Sequence, residues 1–73
     1  MISITEIGIA AGDIWHYLDE NGEATLDQLE KKIAKKRELI LMSLGWLARE
    51  GHVTIGNPEA GFPAKLAKRQ PQL

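Results

Sequence analysis

The chain has no cysteine among its 73 residues. That absence excludes disulfide staples, thiolate nucleophiles, iron–sulfur clusters and Cys-ligated zinc. A secreted domain this small usually needs such staples, so a cytoplasmic location is expected. Aromatic residues are scarce, only Trp15, Tyr17, Trp46 and Phe62. No apolar run approaches the ~18 residues of a membrane span, and the N-terminus lacks the charged and apolar regions of a signal peptide, so no membrane partner is expected. At 8.1 kDa there is no room for a second core. With 44% hydrophobic and 26% charged residues, the composition is that of a soluble globular domain rather than a disordered chain.

Basic residues are missing from the first thirty positions. That segment carries Glu6, Asp13, Asp19, Glu20, Glu23, Asp27 and Glu30 and no Lys or Arg. All nine basic residues lie beyond it, against only Glu38, Glu50 and Glu59, so the net charge of -1 hides two halves of opposite sign. Lys31, Lys32, Lys35, Lys36 and Arg37 form one cluster; Lys65, Lys68 and Arg69 form a second near the C-terminus. Such asymmetry is compatible with nucleic-acid contact and equally with solvated helix faces.

Caps and periods predict three helices and a small β-hairpin. Ser3 with Glu6 is a capping box, with Ile2 and Ile7 at the staple positions around it. Ile7, Ala11, Ile14 and Leu18 then repeat at helical spacing until Asn21-Gly22 stops the helix. A second capping box, Thr25 with Gln28, starts a short helix whose buried stripe is Leu26, Leu29 and Ile33. A third helix is predicted from about Arg37 to Glu50, closed by Gly51. Val53 and Ile55 alternate as in a half-buried strand, residues 56–61 are dense in turn formers, and Phe62, Ala64 and Leu66 alternate again. Pro63 cannot donate to a ladder, which places that last strand at an edge. One or two residues around Ala24 are candidates for a third short strand. Residues 1–69 then form one domain, with 70–73 a frayed tail.

Helix, short helix, longer helix and two-stranded wing is an order that resembles the winged helix-turn-helix, over about residues 4 to 67. Leu29-Glu30-Lys31-Lys32-Ile33-Ala34-Lys35-Lys36-Arg37-Glu38 is similar to the common "L-A-K-K-L-G-L-S-R-E" pattern, and Leu44, Leu47, Gly51 and Val53 match its closing "L-x-x-L-x-x-x-G-x-I/V". The sequence departs from the pattern in two places. Ala34 stands where the turn usually has Gly, and Lys36 where the third helix usually has a Ser N-cap, which implies a turn tighter or longer than usual. The string Leu44-Gly45-Trp46-Leu47-Ala48-Arg49-Glu50-Gly51 further resembles a narrower group of small stand-alone winged-helix proteins of unassigned function. The resemblance implies a mainly α fold, a three-helix core plus wing, and makes DNA binding or transcription-related regulation the leading expectation, with a protein-interaction module as the alternative.

By that pattern the third helix packs through Ile40, Ser43, Leu44, Leu47 and Gly51. It exposes Arg37, Glu38, Leu41, Met42, Gly45, Trp46 and Arg49. Four of these seven are apolar or lack a side chain, and Leu39, Met42 and Trp46 add a second apolar stripe. A helix apolar nearly all round is normally buried, and a chain of this length cannot wrap one with its own atoms. Three outcomes follow. The wing and the first helix cover Trp46 as core; or Leu41, Met42, Gly45 and Trp46 form a protein interface, with a homodimer or another protein as partner; or the face reads bases, for which Leu, Met and Trp offer almost no hydrogen-bond discrimination.

Phosphate contact requires only positive charge. Lys35, Lys36 and Arg37 at the start of the third helix, with Lys65, Lys68 and Arg69 on or beyond the wing, are the candidate contacts to double-stranded DNA. Binding through them would be weak, salt-sensitive and largely sequence-blind.

Catalysis is not expected. Asp13, His16 and Glu20 share one face of the first helix but make a poor metal site, and His16 with Glu20 reads more simply as an i, i+4 pair. His52 has no second histidine beside it, and Ser3 and Ser43 sit at a cap and on a packed face. Gly8, Gly12 and Gly45 are isolated in helical patterns and form no phosphate-cradling loop. No cofactor is expected.

Overall fold

In a computed structural model, which describes residues 2–67, the chain forms three helices and a three-stranded antiparallel sheet. Helix α1 spans Ile4–Asn21, strand β1 Glu23–Ala24, helix α2 Leu26–Ile33 and helix α3 Arg37–Arg49. Strand β2 spans Val53–Ile55 and strand β3 Ala64–Leu66, with a 3-10 turn at Pro58–Ala60 between them. The tail at 70–73 lies outside the described residues.

Local chemistry accounts for the boundaries. Both capping boxes are formed: the Ser3 hydroxyl accepts from the Glu6 N–H while the Glu6 carboxylate accepts from the Ser3 N–H, and Thr25 and Gln28 repeat the exchange. Gly22, at φ 90°, ends α1, and its N–H donates to the Leu18 carbonyl at 2.7 Å. Residues 23–24 form the short strand suspected around Ala24. Between α2 and α3 the chain turns on Ala34, which takes the left-handed conformation with φ 59°. Ala here adopts the geometry that Gly would hold without strain. Lys36 precedes α3 with no side-chain cap, as its missing hydroxyl implies.

One layer of apolar side chains holds these elements together. Ala10, Ala11, Ile14 and Leu18 of α1 are buried, as are Ala24, Leu26 and Leu29, and they close on Leu39, Ile40, Leu44 and Leu47 of α3. Ser43 is the buried polar side chain, fully enclosed at the α1–α3 contact, where its hydroxyl donates to the Ile7 carbonyl at 3.2 Å. Leu39 therefore belongs to the core at 9% exposure, not to the outer stripe with Met42 and Trp46. It lies about 100° around the helix from Ile40, within reach of the packed flank. Gly51, assigned to the core face, is exposed; the helix has already ended, and at φ 78° the glycine turns the chain outward.

The sheet departs from the sequence reading. Its order is β1-β3-β2, so β3 is the central strand and not an edge. Glu23 pairs with Lys65 and Ala24 with Ala64 on one side; Val53 pairs with Leu66 and Ile55 with Ala64 on the other. Pro63 is tolerated because the ladder begins one residue later. Its missing donor falls before the first pair, while its carbonyl accepts from the Gly56 N–H at 2.8 Å. That approach requires glycine, since a Cβ on residue 56 would lie 2.7 Å from Pro63 Cγ. Phe62 does not alternate as strand; it adopts φ 51° and donates its N–H to the Asn57 carbonyl. Ile55 is exposed where half-burial is expected, so that of the three residues of β2 only Val53 is buried. The β2–β3 loop folds back on α2, where the Gly61 carbonyl accepts from the Leu26 N–H at 3.0 Å. Among the described residues no helix is long and apolar enough to cross a membrane.

Two substitutions test this architecture. Left-handed backbone costs an L-residue about 1–2 kcal/mol, of which glycine's extra unfolded-state entropy cancels roughly half, so Ala34→Gly should stabilise the chain by about 0.5–1 kcal/mol in urea unfolding. Ser43→Ala should destabilise it by about 1 kcal/mol through loss of the hydrogen bond between the helices. A stability loss at Ala34→Gly would contradict the left-handed turn.

Candidate functional site

Helix α3 lies against α1 along one flank and presents the rest of its surface outward. Leu41, Met42 and Trp46 are exposed by 43%, 47% and 46%, and Gly45 lies among them. Arg37, Glu38 and Arg49 are exposed as well, so apart from Leu39 the residues assigned to the outer face are found there. The arrangement has a finer division. Trp46 flanks α1; Met42 lies one turn before it on the same edge of α3, and Leu41 about 100° from Met42 around the helix. Trp46 is thus neither core nor fully free. Its inner edge packs on α1 and about half of its surface faces outward.

Beside Trp46 the surface is hollow. A groove of about 390 Å³ runs between α1 and α3, with Gly8, Ala11, Gly12 and Leu47 along it, Trp15 and Trp46 on its flanks, and His52 at one end. A smaller hollow of about 210 Å³ continues past Trp46 to Ile4 and Ile7. Ile4 is 87% exposed and Trp15 is 37% exposed, its ring edge-on to His16 at 5.6 Å. A Cβ placed on Gly8 or Gly12 would meet no atom within 4 Å, so packing within the chain does not demand glycine at either position. Each costs the helix about 1 kcal/mol relative to Ala. The sequence reading left Ile4, Gly8, Gly12 and Trp15 unassigned. The signal was available: residues 4, 8, 12 and 15 recur at i, i+4, i+8 and i+11, one face of a helix.

The cationic cluster is engaged by acids. Arg37 Nη1 donates to Asp27 Oδ1 at 2.8 Å and to Glu30 Oε1 at 3.0 Å, reaching back from the start of α3 to α2. This hydrogen bond and the guanidinium charge hold the Asp27 carboxyl below the usual aspartate range, with burial opposing weakly, and Asp27 and Glu30 in turn raise Arg37. Lys35 Nζ stands 3.9 Å from Asp13 Oδ2 of α1. Lys65, at the centre of the sheet, is register partner to Glu23. Lys36 is exposed. Lys68 and Arg69 lie outside the described residues. Of the four candidate phosphate contacts among the described residues, Lys35 and Arg37 stand within 4 Å of carboxylates from the acidic segment.

With this geometry in view, comparison with known proteins places the chain. Residues 2–62 match the family described as winged helix-turn-helix domain (DUF2582). The chain belongs to this winged helix-turn-helix family. It is also similar to the uncharacterized protein MJ1608 of Methanocaldococcus jannaschii, 38% identical over 64 residues that cover 84% of this chain and 90% of that protein. No solved structure matches the chain. In this winged helix the Arg37 bridge links the start of α3 to α2 across the turn between them.

The bridge has a pH signature. Asp27 is more acidic folded than unfolded, so its contribution is complete above the ordinary aspartate value of about 3.9 and is lost as pH falls through the lower folded value. The urea midpoint difference between the native chain and Arg37→Gln should therefore be largest near neutrality and vanish in acid. High salt should shrink it at any pH, because the pair is exposed.

Proposed function

We propose that this winged helix is a protein-interaction module that uses the outer edge of α3, centred on Met42 and Trp46, for contact with another polypeptide. The observation that carries the reading is the nature of that face. A helix in the recognition position exposes Leu41, Met42 and Trp46 by nearly half each and offers no Asn, Gln, Ser or Thr outward. Direct base readout needs donors and acceptors along this face, whereas protein interfaces are enriched in Trp and Met. Engagement of Arg37 by Asp27 and Glu30 supports the same reading, because those carboxylates neutralise the charge that would meet a phosphate.

A second reading keeps the fold's usual role. Lys36 is exposed at the N-terminus of α3, where no side chain caps the helix N–H groups, and Lys31 and Lys32 are exposed on α2. Such a surface favours weak, sequence-blind contact with duplex phosphates.

One pair of measurements separates them. A photoreactive side chain at position 42 should cross-link to protein in cells, and Trp46→Arg should abolish the adduct. A random DNA duplex titrated at low salt should show no saturable binding. If instead the duplex binds and loses about 40-fold in affinity between ~50 and ~200 mM salt, as three phosphate contacts require, and position 42 yields no protein adduct, the phosphate reading replaces the interaction reading.

A further inference from the structure

We infer that the polypeptide seated on this edge is a second copy of the same chain, and that the contact extends from α3 across the groove to α1. The inference rests on the interaction reading above and adds the partner and the rest of the surface.

Area is the first argument. Trp15 and Trp46, at 37% and 46% exposure, leave about 200 Å² uncovered between them. Ile4 and Met42, at 87% and 47% exposure, bring the apolar patch to roughly 400 Å². A standard interface takes about 800 Å² from each partner, somewhat over half of it apolar, so the patch supplies about the apolar share that one side of a stable dimer needs.

Shape is the second. The same surface carries both a projection and a recess. Ile4, Met42 and Trp46 stand out from it, and the groove over Gly8 and Gly12 is hollow beside them. A two-fold axis brings a surface onto itself, so a contact of this kind closes only when one patch holds both knob and hole. The glycines fit this role. Each weakens the isolated helix relative to Ala, and among the described residues no atom lies within 4 Å of a Cβ placed on either. A partner's Trp46 or Ile4 entering the groove would use that space.

Sedimentation equilibrium of the full chain from about 1 µM to about 1 mM tests the inference. The native chain should dimerise within this range. Gly12→Leu fills the recess from within; it should leave the chain folded, with equal or greater helix content, and weaken dimerisation at least tenfold. Trp46→Arg should do the same. Ile4→Asp serves where Trp46→Arg disturbs folding, because Ile4 is almost wholly exposed. Glu59→Gln, on the exposed turn between β2 and β3, should leave the dimer unchanged. A native chain monomeric throughout overturns the inference, as does a dimer that ignores both Gly12→Leu and Ile4→Asp. A monomer whose position-42 probe still cross-links a different protein overturns self-pairing and leaves the interaction reading standing; a monomer that yields no adduct removes both.

Discussion

Everything in this chain depends on how closely α3 can approach α1. Ala10 and Ala11 face the partner helix with one methyl group each, so Ile40, Leu44 and Leu47 reach the α1 backbone and close the core against Ile14 and Leu18. At the tightest point the Ser43 hydroxyl, too short to reach elsewhere, bonds to the Ile7 carbonyl. A buried hydroxyl without such a partner would be costly, and here it fixes the rotation of α3 about its own axis as well as its distance. That rotation decides the rest. It sends Leu39 inward, sets Trp46 at the margin of the contact, and leaves Leu41, Met42 and Gly45 exposed.

Charge is separated along the sequence but meets its opposite at the start of α3. Asp27 and Glu30 meet Arg37 across the turn between α2 and α3, Asp13 stands near Lys35, and Glu23 is register partner to Lys65 in the sheet. The polarity read along the linear chain is therefore offset locally where the two halves fold onto each other. These exposed pairs contribute little to stability individually. Their larger effect is to quench the positive potential at the start of α3, which is the surface that a duplex would have to meet.

The parts of the fold that were legible in the sequence are those governed by neighbours in the chain. Ser3 with Glu6 and Thr25 with Gln28 state their helix starts within four residues, and Gly22 its helix stop, so these needed no tertiary knowledge. The outer face of α3 was legible for a related reason: with Ile40, Ser43, Leu44 and Leu47 inward, the remaining positions had to face out. Failures came where distant segments decide. Pro63 looked like an edge marker because only one neighbouring strand was counted; the two-residue strand at Glu23–Ala24 supplies the other side. Leu39 was placed outward by spacing alone, without knowing how deep α3 sits. The α1 side of the groove was missed because Gly8 and Gly12 were weighed only as parts of a phosphate-cradling loop, not as positions where a helix has no bulk.

That last point bears on what the scaffold is suited to do. In this fold, the recognition position succeeds at reading DNA when its helix projects, carries polar side chains and is flanked by unpaired cations. Here α3 is recessed on one side against α1, apolar on the other, and its leading arginine is bound to α2. A small chain has little core to spare, and leaving two tryptophans half uncovered beside a glycine-floored groove forgoes stability that ordinary substitutions would recover. Leu or Ala at position 8 or 12 would strengthen α1 and partly shield both rings, with no steric obstacle inside the molecule. The combination makes physical sense when the uncovered area is buried after folding, by a surface that requires the groove to stay empty until it arrives.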